Sequence, residues 1–203
     1  MKSSTEEITP IIGTSMGGGF YAGRIRVGEQ LFALIVAPKS DGEHGDIAWI
    51  ARGKDVPGAL SYFDGHANTA AMAEAGSKLA QWARNLSIGG NENWYLPSQD
   101  ELEICYRNLK PTIEKNWCYA RSGINLSAGV PTYPYTPESP VQTLAEAFQK
   151  GGEQAFDECW YWSSTQHASD SAYAWIQTFS NGYQFSTGKD SKFRARVVRR
   201  LPI

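Results

Sequence analysis

Apolar positions along the chain fall into short runs with different periods, and those periods predict the elements. Phe20 to Val27, Leu31 to Ala37 and Ile47 to Ala51 are rich in β-branched and aromatic residues, with Gly28-Glu29-Gln30 between the first two, so they predict a meander of strands. Between Ala67 and Leu86 the pattern changes: Met72, Ala75, Leu79, Trp82, Ala83 and Leu86 recur at three- and four-residue steps, which predicts one long helix with a single apolar face. Ser98 and Glu101 after Pro97 form a capping box opening a second helix, with Ile104, Cys105 and Leu109 facing inward. Pro131, Pro134, Pro137 and Pro140 exclude helix and central strand from the stretch they punctuate. A third helix is expected from Ser139-Pro140 to Gly151-Gly152, burying Leu144, Ala145 and Phe148.

The chain then changes character. From Cys159 to Arg200, large rings alternate with short polar residues, starting with Trp160, Tyr161 and Trp162 and continuing through Trp175, Phe179, Tyr183 and Phe185. Asn181-Gly182 favours a two-residue type I′ turn, so Trp175 to Phe179 and Tyr183 to Thr187 are expected to pair as a hairpin. Trp162, Trp175 and Phe179 are expected to be buried. The residues between the anchors have the chemistry of a binding surface, with rings of few rotors beside adaptable hydrogen-bonding groups. His167, Ser169, Asp170, Ser171, Tyr173, Gln184, Ser186, Thr187, Lys189, Asp190 and Ser191 are the candidate ligand-binding residues. In a continuous strand Arg194, Arg196 and Arg200 share one face and Arg199 the other, so some of them are expected to pair with framework acids such as Asp100 and Glu101.

Four motifs in this order carry a resemblance: Trp94 to Leu102 (WYLPSQDEL), Tyr161 to Thr165 (YWSST), Phe179 to Gly182 (FSNG) and Arg196 to Arg199 (RVVR). The chain resembles the bacterial and phage C-type-lectin-like domain of the Lcl C-terminal family, whose fold is shared with formylglycine-generating enzymes and with the variable proteins of diversity-generating retroelements. The resemblance implies an α+β fold whose C-terminal strands and loops present a ligand-binding face. It also implies that residues 167 to 173 and 183 to 193, many of them of the kinds those retroelements randomise, are a region open to diversification. A merely polar lectin-like surface is the other reading. The expected organisation is an arm over 1–19 and one domain over 20–203, with an insertion at 116–155 and the binding region at 160–200.

Composition narrows the chemistry. A formal net charge of -2 with 20% charged residues predicts neither a nucleic-acid-binding protein nor a disordered one, and 41% hydrophobic residues suffice to fill a core in a chain of 203 residues. No apolar run approaches the ~20 residues of a membrane span, and no signal-peptide core follows the polar start. Gly13, Ser15 and Gly17 spell a nucleophile elbow, but Gly18 and Gly19 follow where that motif needs a helix, so a flexible turn is expected. Asp41 to Asp46 lacks the spacing of a calcium loop and reads as a solvated turn. Cys105, Cys118 and Cys159 form no CxxC pair, and the copper-binding cysteine pair of the oxidase relatives has no counterpart after Cys159. With His44, His66 and His167 scattered, a non-enzyme without metal or cofactor is expected. The sugar-binding loops of animal C-type lectins are missing as well, so calcium is not expected to mediate binding.

Together these features lead to the expectation of a receptor-binding module on a phage tail fibre or other virion projection, made in the host cytoplasm. It is expected to form a homo-oligomer, attach to a phage structural protein through its N-terminal arm, and recognise a host-surface glycan or protein. The alternative is a decoration or assembly subunit of the particle without a specific receptor.

Overall fold

The computed structural model describes residues 10–118 and 124–203. It is an α+β structure with two sheets. Strands β1 (Ser15–Met16), β2 (Gly19–Val27), β3 (Gln30–Val36) and β9 (Val198–Pro202) form the first, in the order β1-β2-β3-β9. Strands β4 (Glu43–Ala48), β5 (Trp160–Gln166), β6 (Tyr173–Thr178), β7 (Gln184–Gly188) and β8 (Lys192–Arg196) form the second, in the order β4-β8-β5-β6-β7. Helical elements are α1 (Lys39–Gly42), α2 (Gly65–Glu74), α3 (Lys78–Arg84) and α4 (Gln99–Leu109). Among the described residues no helix is long and apolar enough to cross a membrane.

The first sheet is buried on both faces. Ala33 and Ile35 face a cluster with Trp49, Met72, Leu79, Trp94 and Trp162, while Leu34 and Val36 face one with α4, Tyr161 and Phe179. That is why Leu31 to Ala37 reads as a continuous apolar run rather than an alternation. Ile47 to Ala51 does not extend a three-stranded meander: β4 begins at Glu43 and pairs with β8 in the second sheet. The expected solvated turn at Asp41 to Asp46 is therefore the end of α1, through Gly42, and the start of β4, from Glu43. The Glu43 side chain is buried there and accepts from Arg194 at 3.0 Å.

The helix expected over Ala67 to Leu86 is two helices. Gly76 takes a φ of +94°, which costs glycine nothing and a side-chain-bearing residue 1–2 kcal/mol by order of magnitude, about the penalty of the left-handed region. Ser77 then caps α3 by accepting from Ala80 N and donating to the Trp49 carbonyl. Apolar spacing alone does not reveal this break, because both halves keep the same inward face. The capping box at Ser98 and Glu101 forms as expected. The third helix does not form beyond a 3-10 turn at Glu146–Phe148. Its backbone is engaged elsewhere: Thr143 N donates to the Lys110 carbonyl at 3.0 Å and Ala145 N to the Thr143 hydroxyl at 3.3 Å. Leu144 is 93% exposed as a result, whereas Phe148 is buried as expected.

Residues 10–19 of the expected arm are built into the first sheet, with Ser15 opposite Phe20 and Met16 opposite Gly19. Gly13 N donates to the Tyr21 carbonyl at 2.8 Å, so this stretch is neither a free linker nor an elbow. The first nine residues of that arm, and 119–123 of the expected insertion, lie outside the described residues. Elsewhere in 116–155, Tyr135 and Phe148 join the core beside α4, as does Phe156 just after it.

The hairpin of β6 and β7 forms, but its turn is longer than two residues. Gln177 is the last β6 residue opposite β7, facing Gln184, and the loop closes through Thr178 N to Tyr183 O and Gly182 N to Thr178 O, both at 3.0 Å. Only the glycine of the Asn-Gly pair has positive φ, +79°, and a Cβ on Gly182 would overlap the Tyr106 ring. Close approach to α4 therefore selects the turn.

Phe179 stacks on Phe156 with ring centroids 3.9 Å apart and meets Tyr106 and Tyr161 edge-on. Phe179→Ala is expected to cost about 3–5 kcal/mol through lost burial and a residual cavity. Urea unfolding measures this, and a loss below about 1 kcal/mol would show that the ring is not a framework anchor.

Candidate functional site

The second sheet carries the candidate residues on two loops that meet. β5 and β6 are joined by residues 167–172, and β7 and β8 by residues 189–191. Their ends are brought together because Tyr173 stands opposite Gly188, and Lys189 N donates to the Ala172 carbonyl at 3.1 Å. Local bonds shape the first loop: Ala172 N donates to Asp170 Oδ1 at 3.0 Å, Tyr173 N to the Asp170 carbonyl at 3.1 Å, and His167 N to the Tyr173 carbonyl at 3.0 Å. In the second, Ser191 N donates to the Gly188 carbonyl at 3.0 Å. These are Asx- and turn-type closures, which leave the other side chains pointing outward.

Ser169, Asp170, Tyr173 and Asp190 are exposed on this surface, and His167, Ser171, Ser186, Thr187 and Ser191 are half-buried. His167 lies tilted against the Trp175 indole, with ring centroids 5.3 Å apart, and Ser169 Oγ is 3.4 Å from its Nδ1. Nine of the eleven candidates thus have solvent access. Gln184 and Lys189 do not, and here the sequence expectation is corrected. Gln184 belongs to a buried amide chain, accepting from Gln99 Nε2 at 2.9 Å and donating to Gln177 Oε1 at 3.4 Å. Lys189 is fully buried beneath the loops, its ammonium over the Trp49 ring at 4.5 Å and donating to the Lys54 carbonyl at 2.9 Å and to Gln166 Oε1. Gln166 in turn donates to Asp55 Oδ1 at 2.8 Å and accepts from Val56 N at 2.8 Å. A lysine in a polar, turn-rich stretch reads as solvated; only its long-range partners at 49–56 reveal the burial.

Trp162 and Phe179 are buried as expected, whereas Trp175 is only half-buried and forms part of the surface with His167. Phe185, expected as an anchor, is 50% exposed. It continues a row of rings: Tyr183 lies 6.0 Å from both Phe185 and Trp160, and Trp117 lies 6.1 Å from Tyr183. Sequence order hides this grouping, because Trp117 is brought in by its N–H bond to the Asn181 carbonyl at 2.9 Å.

The arginines do not share strand faces as a continuous strand predicts. β8 ends at Arg196 and β9 starts at Val198, and the two belong to different sheets. Arg194 pairs with Glu43 at 3.0 Å and Asp157 at 3.3 Å. Arg200 pairs with Asp64 at 3.0 Å and reaches Glu101 at 3.9 Å. Asp100 instead accepts from the Ser127 hydroxyl at 2.6 Å. Arg196 is buried without a carboxylate contact, donating to the carbonyls of Ala37 at 3.0 Å and Gln154 at 2.6 Å, and burial lowers its guanidinium to about 10. These are framework roles rather than an anion-binding patch. Among the described residues no three His, Cys, Asp or Glu side chains are grouped to hold a metal ion. The three cysteines are free thiols, and burial pushes Cys105 and Cys159 up from their ordinary value.

The model of the Lcl C-terminal domain matches residues 46–199. That span covers α2 to α4 and all of the second sheet except the first three residues of β4. The chain belongs to the Lcl C-terminal domain family. It is a C-type-lectin-like module, and its candidate loops fall inside the matched span. No curated protein matches the chain.

Burial lowers the Lys189 ammonium to about 8 from an ordinary 10.5, with Asp55 opposing the shift. Between those values the unfolded chain binds more protons than the fold, so this group's contribution to stability rises with pH from about 8 to about 10.5. Urea unfolding of the parent and Lys189→Met at pH 7 to 10 is expected to show the difference moving in favour of the parent as pH rises. A pH-independent difference would mean that Lys189 keeps its ordinary proton affinity.

Proposed function

We propose that this chain is a non-enzymatic binding module whose ligand face is formed by the 167–172 and 189–191 loops with Tyr173, Ser186 and Thr187. The observation that carries this reading is the separation of framework from loops. Rings and buried polar groups hold the second sheet from below, while short polar side chains with one large ring, Tyr173, stand outward at one end. Exposed loop positions on a rigid scaffold are where binding specificity is placed at low cost to folding. The three histidines each meet one aromatic ring, those of Trp82, Tyr95 and Trp175, and the Ser169 hydroxyl that comes within 3.4 Å of His167 Nδ1 stands on the exposed loop surface, which supports a binding rather than a catalytic role.

In this reading the module sits on a virion projection such as a phage tail fibre and recognises a glycan or protein of the host surface. It acts as a homo-oligomer joined through its N-terminal region to a phage structural protein. The outward positions within 167–173 and 183–193, which exclude the buried Gln184 and Lys189, suit diversification by a retroelement, because substitutions there leave the core contacts in place. The family resemblance to phage and retroelement-diversified modules and the content of these loops support this assignment.

Tyr173→Ala and Asp190→Ala are expected to shift stability by about 0.5 kcal/mol or less, and Tyr173→Ala to weaken adsorption to host cells by about 2 kcal/mol as a binding hot spot. Thermal melting and adsorption of the same variants separate the two effects. Normal adsorption by every loop variant would place the ligand elsewhere, or leave a decoration subunit as the better reading.

A chelator is expected to leave adsorption unchanged, since the loops bring no carboxylate cluster together at this face. Adsorption lost on chelation, with the circular dichroism spectrum intact, would contradict binding without calcium.

A further inference from the structure

A second site lies away from the loop face and shares no residue with it. Along the outer edge of β2, residues 13–16 cover the strand as far as Tyr21, and residues 127–129 cover it from Arg24 onward. Tyr21 N donates to the Thr14 carbonyl at 2.9 Å, Gly129 N to the Arg24 carbonyl at 2.8 Å, and Arg26 N to the Ser127 carbonyl at 2.7 Å. Gly23 lies between the two covers, and α4 comes so close that a Cβ there would overlap Asn108 and Ile104. At this gap β2, α4, Ile12 and the segment 128–133 enclose a cavity of about 410 Å³. Its walls are bonded to one another before any ligand arrives, and its size is near the lower end of the roughly 300–1,000 Å³ common for small-molecule sites.

The lining narrows the occupant. Ile12, Ile104, Ala128 and Val130 give it apolar walls, and Val130 at 59% exposure stands at its rim. The cationic and amide groups of the lining are already engaged. Arg107 pairs with the buried Glu103 at 2.7 Å and donates to the Tyr133 carbonyl at 3.1 Å, Asn108 Nδ2 donates to the Ala22 carbonyl at 2.7 Å, and Arg24 has a partner as well. No carboxylate lines the cavity. Tyr21 differs: it lines the cavity, is 2% exposed, and its hydroxyl makes no hydrogen bond among the described residues. A buried tyrosine hydroxyl ordinarily has a partner. An ionised ligand would give up its water here and meet only charges that are already paired, whereas an apolar body gains by leaving water.

We propose that this cavity binds a small neutral molecule, apolar except for one oxygen that accepts from the Tyr21 hydroxyl: an ester or ketone of about eight to ten carbons, short enough for a site of this volume. Ile12, Tyr21 and Gly23 precede residue 46, where the family match begins, so the site is assembled from the family domain and the N-terminal strands together. It adds a ligand-binding function that the loop face does not require.

Isothermal titration of the full chain with methyl octanoate, octanoate and octylammonium below their micelle concentrations tests the proposal. Methyl octanoate is expected to bind one to one, with both ions weaker by about tenfold or more, because neither finds a free counter-charge. Tyr21→Phe is expected to keep the melting temperature, since the hydroxyl has no protein partner to lose, and to weaken methyl octanoate by about threefold to tenfold, as one hydrogen bond implies. Val130→Asp, at the exposed rim, is expected to weaken the ester at an unchanged melting temperature, and Tyr173→Ala to leave its binding unaffected. Absence of methyl octanoate binding, octanoate binding as tightly as its ester, parental affinity in Tyr21→Phe, or full binding by Val130→Asp would overturn the proposal.

Discussion

One buried carboxylate joins the parts of this fold. Glu101 is wholly buried and occupies the third position of α4, where its Oε2 accepts from Ser98 N at 2.8 Å and from Gly65 N at 3.1 Å. Its Oε1 accepts from Tyr95 OH at 2.7 Å and faces Arg200 at 3.9 Å. Those partners belong to the starts of α2 and α4, the segment leading into α4, and β9. A charge so placed is costly unless each oxygen is satisfied. Burial raises the carboxyl from its ordinary value, and Arg200 opposes the shift. A Cβ on Gly65 would overlap the carboxylate, so the start of α2 packs onto it as glycine.

From that hub the rest follows by connection. β9 carries Arg200 and pairs with β3, while Val198 bonds in both directions with Tyr95, at 2.9 Å and 2.8 Å. One residue earlier, Val197 bonds to Ala37 and Gly42, and there the chain passes from the second sheet to the first. The two sheets are thus locked together at the end of the chain, and the loops at 167–172 and 189–191 project from the second sheet without taking part in the lock. A frame whose strength lies in buried polar links and stacked rings tolerates change at its exposed loops, because those side chains contribute little to its stability.

The sequence disclosed the local parts of this arrangement better than the long-range ones. The capping box at Ser98 and Glu101 was legible because its two bonds lie within one turn of helix, and the apolar run at Leu31 to Ala37 because both of its faces are buried. Gly76 escaped notice since a break that preserves the inward face leaves the spacing intact. The region after Ser139 carried a helix-start signature, yet its backbone bonds to Lys110 prevailed, and no local signal reports such a partner. At the candidate face, Ser169, Asp170, Tyr173 and Asp190 were legible as surface from their polar setting. Lys189 and Gln184 were not, because their burial depends on Trp49, Gln166 and Gln99, which are distant in sequence. Phe185 shows the converse case: a ring that pattern sets among the anchors stands half in solvent.

The most direct test of this account is equilibrium urea unfolding of Glu101→Gln. The substitution keeps the shape and removes the charge that Tyr95, Ser98, Gly65 and Arg200 are arranged around. The account predicts a loss of about 2–4 kcal/mol, the range for a buried group left with mismatched partners. A variant within about 0.5 kcal/mol of the parent, a change typical of an indifferent site, would contradict the claim that this carboxylate holds the frame together.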